Sequence, residues 1–166
     1  GYFDGNFSSN SQTAADYVIR IESNTSGAIE IKGNITLTNA NSTAGALTGI
    51  GVTAPVNVYA NITSDIAKVV SVTQTSTGFK LHGKITALGN TAASHPINLE
   101  DNGVNTMTLA SSCVLVATHA SAFGVSNDGN AVNQSVTNYG AVTNRVVDPD
   151  LAAAKVKALI HDSNVI

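Results

Sequence analysis

The stretch YVIRIESNTSGAIEIKGNIT, residues 17–36, returns 51 residues later as KVVSVTQTSTGFKLHGKIT, residues 68–86. Val18 falls on Val69, Ile19 on Val70, Ile21 on Val72 and Gly27 on Gly78. After a one-residue slip Gly33 meets Gly83, Ile35 meets Ile85 and Thr36 meets Thr86. In the first copy Tyr17, Ile19 and Ile21 alternate with Val18, Arg20 and Glu22, and Ile29 and Ile31 alternate with Glu30 and Lys32. A period of two belongs to a strand with one face in a core. Between the arms lie hydroxyl and amide residues ending in a glycine that accepts positive φ. Each copy therefore reads as a β-hairpin, over 17–37 and 68–88. With only two copies, the repeat does not point to a long solenoid.

The rest of the chain continues in strands. PVNVYANIT alternates Val56, Val58 and Ala60 with Asn57, Tyr59 and Asn61; HPINLE and NTMTLASSCVLVA supply more. Pro55 and Pro96 stand at strand starts, where a missing N–H costs least. Short strands separated by loops rich in Gly, Asn, Ser and Thr predict an all-β fold: an antiparallel β-sandwich, jelly-roll-like, over 17–147. Residues 1–16 are expected to be an extended N-terminal segment. The exception is 148–166, where Asp148 as N-cap, Pro149 at the first helical position and Asp150 in the first turn predict a short C-terminal helix of about three turns. At 166 residues the chain suits one domain with a substantial core.

Charged residues are 11% of the chain, against about 25% in ordinary soluble domains. Ser, Thr, Asn and Gly stand in for them, so little charge repulsion keeps copies apart. A net charge of −3, with no Trp and no basic patch, argues against nucleic acid. No apolar run approaches the ~20 residues of a membrane helix. The chain opens Gly-Tyr-Phe-Asp-Gly without Met, which fits a cleaved leader and export, or a trimmed Met and a particle assembled inside the cell such as a virion.

The motifs of catalysis are missing, and the chain reads as not an enzyme. Gly49-Ile50-Gly51-Val52-Thr53-Ala54 matches G-x-G-x-x-A, but a strand rather than a helix follows it, so the fingerprint lacks its context. Cys113 sits in an apolar strand and reads as a small buried hydrophobe. His82, His95, His119 and His161 show no zinc spacing, and no G-x-S-x-G elbow occurs. A carbohydrate-binding module or a hydrolase would present clustered aromatics or paired carboxylates. The eight aromatics and the acids here are dispersed along the chain. No cofactor is required. Calcium is the one metal with candidate oxygen ligands, at Asp128, Asp148 and Asp150, in loops that do not follow the EF-hand pattern. Asn6, Asn24, Asn34, Asn41, Asn61 and Asn133 each stand in an N-x-[ST] sequon, as candidate glycosylation sites of a secreted glycoprotein.

The opening GYFDGNF places Tyr2, Phe3 and Phe7 in a polar segment ahead of the first strong strand. A free extended segment can add itself to a neighbour's sheet edge, with its aromatics as anchors. Head-to-tail repetition of such a contact gives a filament or tube. GYFDGNF also resembles the mature start of the TasA/camelysin group and of archaeal bundling pilins, to which cannula and thread proteins are similar in plan. The resemblance covers about seven residues and lacks the T-F-x-A-G-x-L-D-L continuation. It implies a secreted jelly-roll-like subunit that polymerises by donating its N-terminal strand, with Tyr2, Phe3 and Phe7 as donor anchors. The expectation is a structural protein whose partners are copies of itself, in an extracellular or cell-surface filament or tubule. A virion component, a capsid decoration or tail-tube subunit, is the alternative.

Overall fold

The structure is a computed structural model describing residues 1–10, 17–38, 45–65, 68–100, 103–119, 122, 124–127, 134–142 and 156–157. The chain coils. β1 (Tyr2–Ser9) precedes a turn made of β2 (Ile19–Glu22) and the long β3 (Ile29–Leu37). The next turn carries β4 (Leu47–Ile50), β5 (Val56–Val58) and β6 (Asn61–Ser64), and the third β7 (Lys68–Thr73), β8 (Phe79–Leu81) and β9 (Lys84–Ala87). A fourth holds β10 (His95–Leu99), β11 (Asn105–Leu109) and β12 (Val114–Ala117). Then come β13 (Val125–Asn127), β14 (Gln134–Asn138), β15 (Ala141–Val142) and β16 (Val156–Lys157).

Each strand pairs with its counterpart one turn away, and all of these pairings are parallel. The stacks are β2-β4-β7-β10-β13, β3-β5-β8-β11-β14-β16 and β3-β6-β9-β12-β15, with β1 laid over β3. The architecture is a β-solenoid of about four turns. This overturns the expected antiparallel sandwich. An alternation of period two is the same in parallel and antiparallel strands, so it reveals which side faces in but not which strand lies alongside.

The repeat that suggested two hairpins is a pair of turns with a third between them. Ile19, Leu47 and Val70 stack in one column, so Ile19 and Val70 occupy the same position two turns apart. The two arms of each supposed hairpin, β2 and β3 or β7 and β8, belong to different sheets. Positive φ at Gly27 (80°) and at Ser23 (54°) bends the chain around a corner instead of folding it back.

The core is a set of inward columns. Ile35, Ile62, Ile85 and Leu115 stack in register and are fully buried, as are Ile31, Val58 and Leu81. Where one column narrows, another fills it: a side chain at Gly49 would run into the Phe79 ring. The glycine of the apparent nucleotide fingerprint is therefore space for an aromatic core residue. In-register stacking also accounts for the shortage of charge. Each outward side chain lies about 4.8 Å from its equivalents on the turns above and below, where like charges repel and amides or hydroxyls can bond.

No helix occurs among the described residues. Most of the segment expected to be helical, 148–166, lies outside them. Its two described residues, Val156–Lys157, form β16 against Val136 and Thr137. The edge of β14 offers them ladder hydrogen bonds, and tertiary pairing overrides helix propensity.

Candidate functional site

Two places on the solenoid gather the chain's distinctive side chains: the rung at its N-terminal end, and an outward column along one corner.

At the end, Tyr2–Ser9 lies over β3 in continuous register, Tyr2 on Glu30 through Ser9 on Leu37. The segment expected to reach into a neighbour thus fills the edge of its own subunit. The Gly1 ammonium donates to the Ala28 carbonyl (2.7 Å), Glu30 N–H to Gly1 (3.0 Å) and Thr38 N–H to Ser9 (3.0 Å). Gly5 sits on Gly33, whose φ is 91°; a side chain on Gly33 would strike the Gly5 backbone. The close approach therefore demands glycine.

The three expected anchors divide. Phe3 and Phe7 head inward columns, above Ile31 and Ile35, and Phe7 packs on the core. Phe3 is 40% exposed because no described rung covers it. Tyr2 points outward, 59% exposed, its hydroxyl donating to Asp4 (2.8 Å) and its ring under the Lys32 ammonium at 5.1 Å. The hydrogen bond to Asp4 is the largest cause that raises the Tyr2 pKa above its ordinary value.

Asn6, Asn34 and Asn61 form a ladder up one face. Asn34 Nδ2 donates to Asn6 Oδ1 (2.8 Å), Asn61 Nδ2 reaches Asn34 Oδ1 at 3.5 Å, and Lys84 N–H donates to Asn61 Oδ1 (3.1 Å). Three of the six sequons are thus one structural position repeated: an outward Asn, an inward apolar residue, an outward Ser or Thr. The signal was present as Asn34-Ile35-Thr36, Asn61-Ile62-Thr63 and Lys84-Ile85-Thr86. Asn24 lies at a corner, its Nδ2 on the Gly27 carbonyl (3.3 Å). Asn41 and Asn133 lie outside the described residues. So do the calcium candidates Asp128, Asp148 and Asp150, and among the described residues no three His, Cys, Asp or Glu side chains converge.

Along the second site, successive turns place Lys32, Tyr59, His82, Ala110 and Tyr139 at the same corner. Four equivalent bonds define the column: Tyr59 N–H to Ile31 (2.8 Å), His82 to Val58 (2.8 Å), Ala110 to Leu81 (2.9 Å) and Tyr139 to Leu109 (2.9 Å). The Tyr59 and His82 rings stack with centroids 4.3 Å apart, and the Lys32 ammonium lies 5.6 Å from the Tyr59 ring. Desolvation, with a smaller contribution from the Lys80 charge, holds His82 below its ordinary pKa of 6.5. Its Nε2 is buried and without a partner among the described residues. Aromatic residues dispersed in the sequence are thus collected in space, which their spacing did not announce.

Cys113 occupies the inward small-residue position of that corner, and burial pushes its thiol up to about 12. Among the described residues no helix is long and apolar enough to cross a membrane. Comparison with protein-family models, curated proteins and solved structures returned no match.

Proposed function

We propose that this chain is a structural subunit that assembles with copies of itself, end on, into an extracellular or cell-surface filament. The observation that supports this reading is the outer margin of β1. In a parallel ladder the residues bonded to one neighbour alternate with those facing the other. Gly1 and Ser9 bond to β3, so the N–H and C=O groups of Tyr2, Asp4, Asn6 and Ser8 point away from it. Among the described residues no strand pairs with that side. Edges are usually blunted by lysine, proline or a bulge; the Tyr2–Ser9 segment has neither lysine nor proline.

Here β1 acts as acceptor rather than donor. A terminal rung of the next copy sets its backbone against β1 and covers Phe3, extending the inward columns from one molecule to the next. Contact between unlike ends repeats without closing and produces a filament. The scarcity of surface charge reduces repulsion between the stacked ends.

Asp4→Pro tests the reading. Residue 4 directs its N–H outward, so proline there removes no bond to β3 while denying one to an incoming strand. Wild-type protein should form filaments by electron microscopy, with a meridional fibre reflection near 4.8 Å. The variant should remain a folded monomer in sedimentation. Filaments formed equally by Asp4→Pro would exclude the β1 edge.

A further inference from the structure

The corner column has one gap. Ala110 stands where the turn above carries His82 and the turn below carries Tyr139, so a ring is missing between two others. The gap is a cleft of about 410 Å³ with His82 and Tyr139 among its walls. The chain around it is also longer. From Leu81 at the end of β8 to Lys84 at the start of β9 the corner holds two residues; from Leu109 to Val114 it holds four. The additional length puts Ser111, exposed, at the rim.

Dimensions indicate what the cleft accepts. Equivalent positions two turns apart are separated by about 9.5 Å, twice the strand spacing. A flat ring held between two aromatic rings needs only about 7 Å, at van der Waals contact on each side. A chair-form pyranose, with axial C–H bonds on both faces, needs about 8 to 9 Å between the enclosing rings. One face of His82 is already taken by Tyr59, which leaves the other for the cleft. Tyr139 is 61% exposed and so presents ring surface without rearrangement.

The polar groups narrow the choice further. Lys80 lines the cleft beside Thr108, its partner on the next turn. Among the described residues no carboxylate pairs with Lys80. Thr108 and Ser111 supply hydroxyls that can bond with those of a sugar.

We infer that the Ala110 gap binds one pyranose residue of an acidic polysaccharide, the sugar held between His82 and Tyr139 and its carboxylate on Lys80. The site lies away from the β1 edge and stands independently of end-on assembly. Within a filament it would recur once per subunit, so that modest single-site affinity is multiplied along a polysaccharide.

The test uses methyl β-glucuronide, with methyl β-glucoside as the neutral comparison, followed by saturation-transfer NMR and titration. The glucuronide should bind more tightly than the glucoside, with saturation reaching protons on both ring faces. Ala110→Leu fills the gap and should abolish binding while circular dichroism and Tm are retained. Tyr139→Ala, at an exposed position, should weaken binding about tenfold, and Lys80→Gln should bring the glucuronide down to the glucoside. Tyr17→Ala, outside the corner column, should change nothing. Failure of both glycosides to bind, or wild-type binding by folded Ala110→Leu or Tyr139→Ala, would overturn the assignment.

Discussion

Phe3 and Ile62 hold comparable inward positions, each in a column that runs through the solenoid, yet Phe3 is 40% exposed and Ile62 is fully buried. The difference is one of neighbours rather than of side-chain chemistry. Ile62 has Ile35 on one side and Ile85 on the other, whereas Phe3 has Ile31 on one side only. In a solenoid, facing inward is half of burial, and a rung on each side supplies the rest. The end rung thus keeps apolar surface in reserve, which the proposed assembly would cover.

The largest test of this contrast is stability. Ile62→Ala should cost about 2 to 5 kcal/mol in denaturant unfolding, because it leaves a cavity in a closed column. Phe3→Ala in the monomeric Asp4→Pro background should cost less, at most about 2 kcal/mol, since 40% of its surface stays in water and no closed cavity is left behind. Equal costs would mean that the end rung is covered as thoroughly as the middle. In filaments the Phe3 substitution should become the more damaging to assembly.

A smaller effect separates the same two regions on the outer face. Asn61 accepts from Lys84 N–H and donates toward Asn34, whereas Asn6 has a ladder partner on one side only. Asn61→Ala should cost about 1 kcal/mol and Asn6→Ala a few tenths, read from the same unfolding curves. Reversed values would remove the ladder as a stabilising element.

The smallest effect is a pH dependence that His82 brings to the middle turns. His82 is held below 6.5 chiefly by desolvation, so the unfolded chain takes up a proton that the folded one resists. Its contribution is complete above pH 6.5 and declines as the pH falls from there through the lowered folded value. Denaturant midpoints at pH 8 and pH 5 should therefore fall further for wild type than for His82→Phe. Parallel losses in the two proteins would show that His82 titrates as it does in the unfolded chain.

Much of the turn structure was legible beforehand. The alignment of Ile19 with Val70 and of Ile35 with Ile85 identified true equivalents, whereas that of Gly27 with Gly78 was one residue out, since the register sets Gly78 against Ala28. The turn between them escaped notice because Leu47, Gly49 and Val56 keep the in-and-out pattern without the identities. Gly49 in particular replaces a core hydrophobe because Phe79 occupies the space. The corner column was illegible for a different reason. Lys32, Tyr59, His82, Ala110 and Tyr139 stand at unequal spacings, since the turns between them differ in length, and no motif of fixed period collects them.

What the amino-acid order determined by itself is the side each residue faces, because alternation along a strand is a local property set by the direction of successive side chains. The bend at Gly27 and the low tolerance for charge on stacked outer positions follow from equally local chemistry. Only the tertiary structure decided which backbone lies beside which. A strand's N–H and C=O groups are the same whatever their partner, so coil closure selected a parallel neighbour about 20 to 30 residues away over an adjacent antiparallel one. That choice turned two supposed hairpins into turns of a solenoid, and dispersed tyrosines into one column.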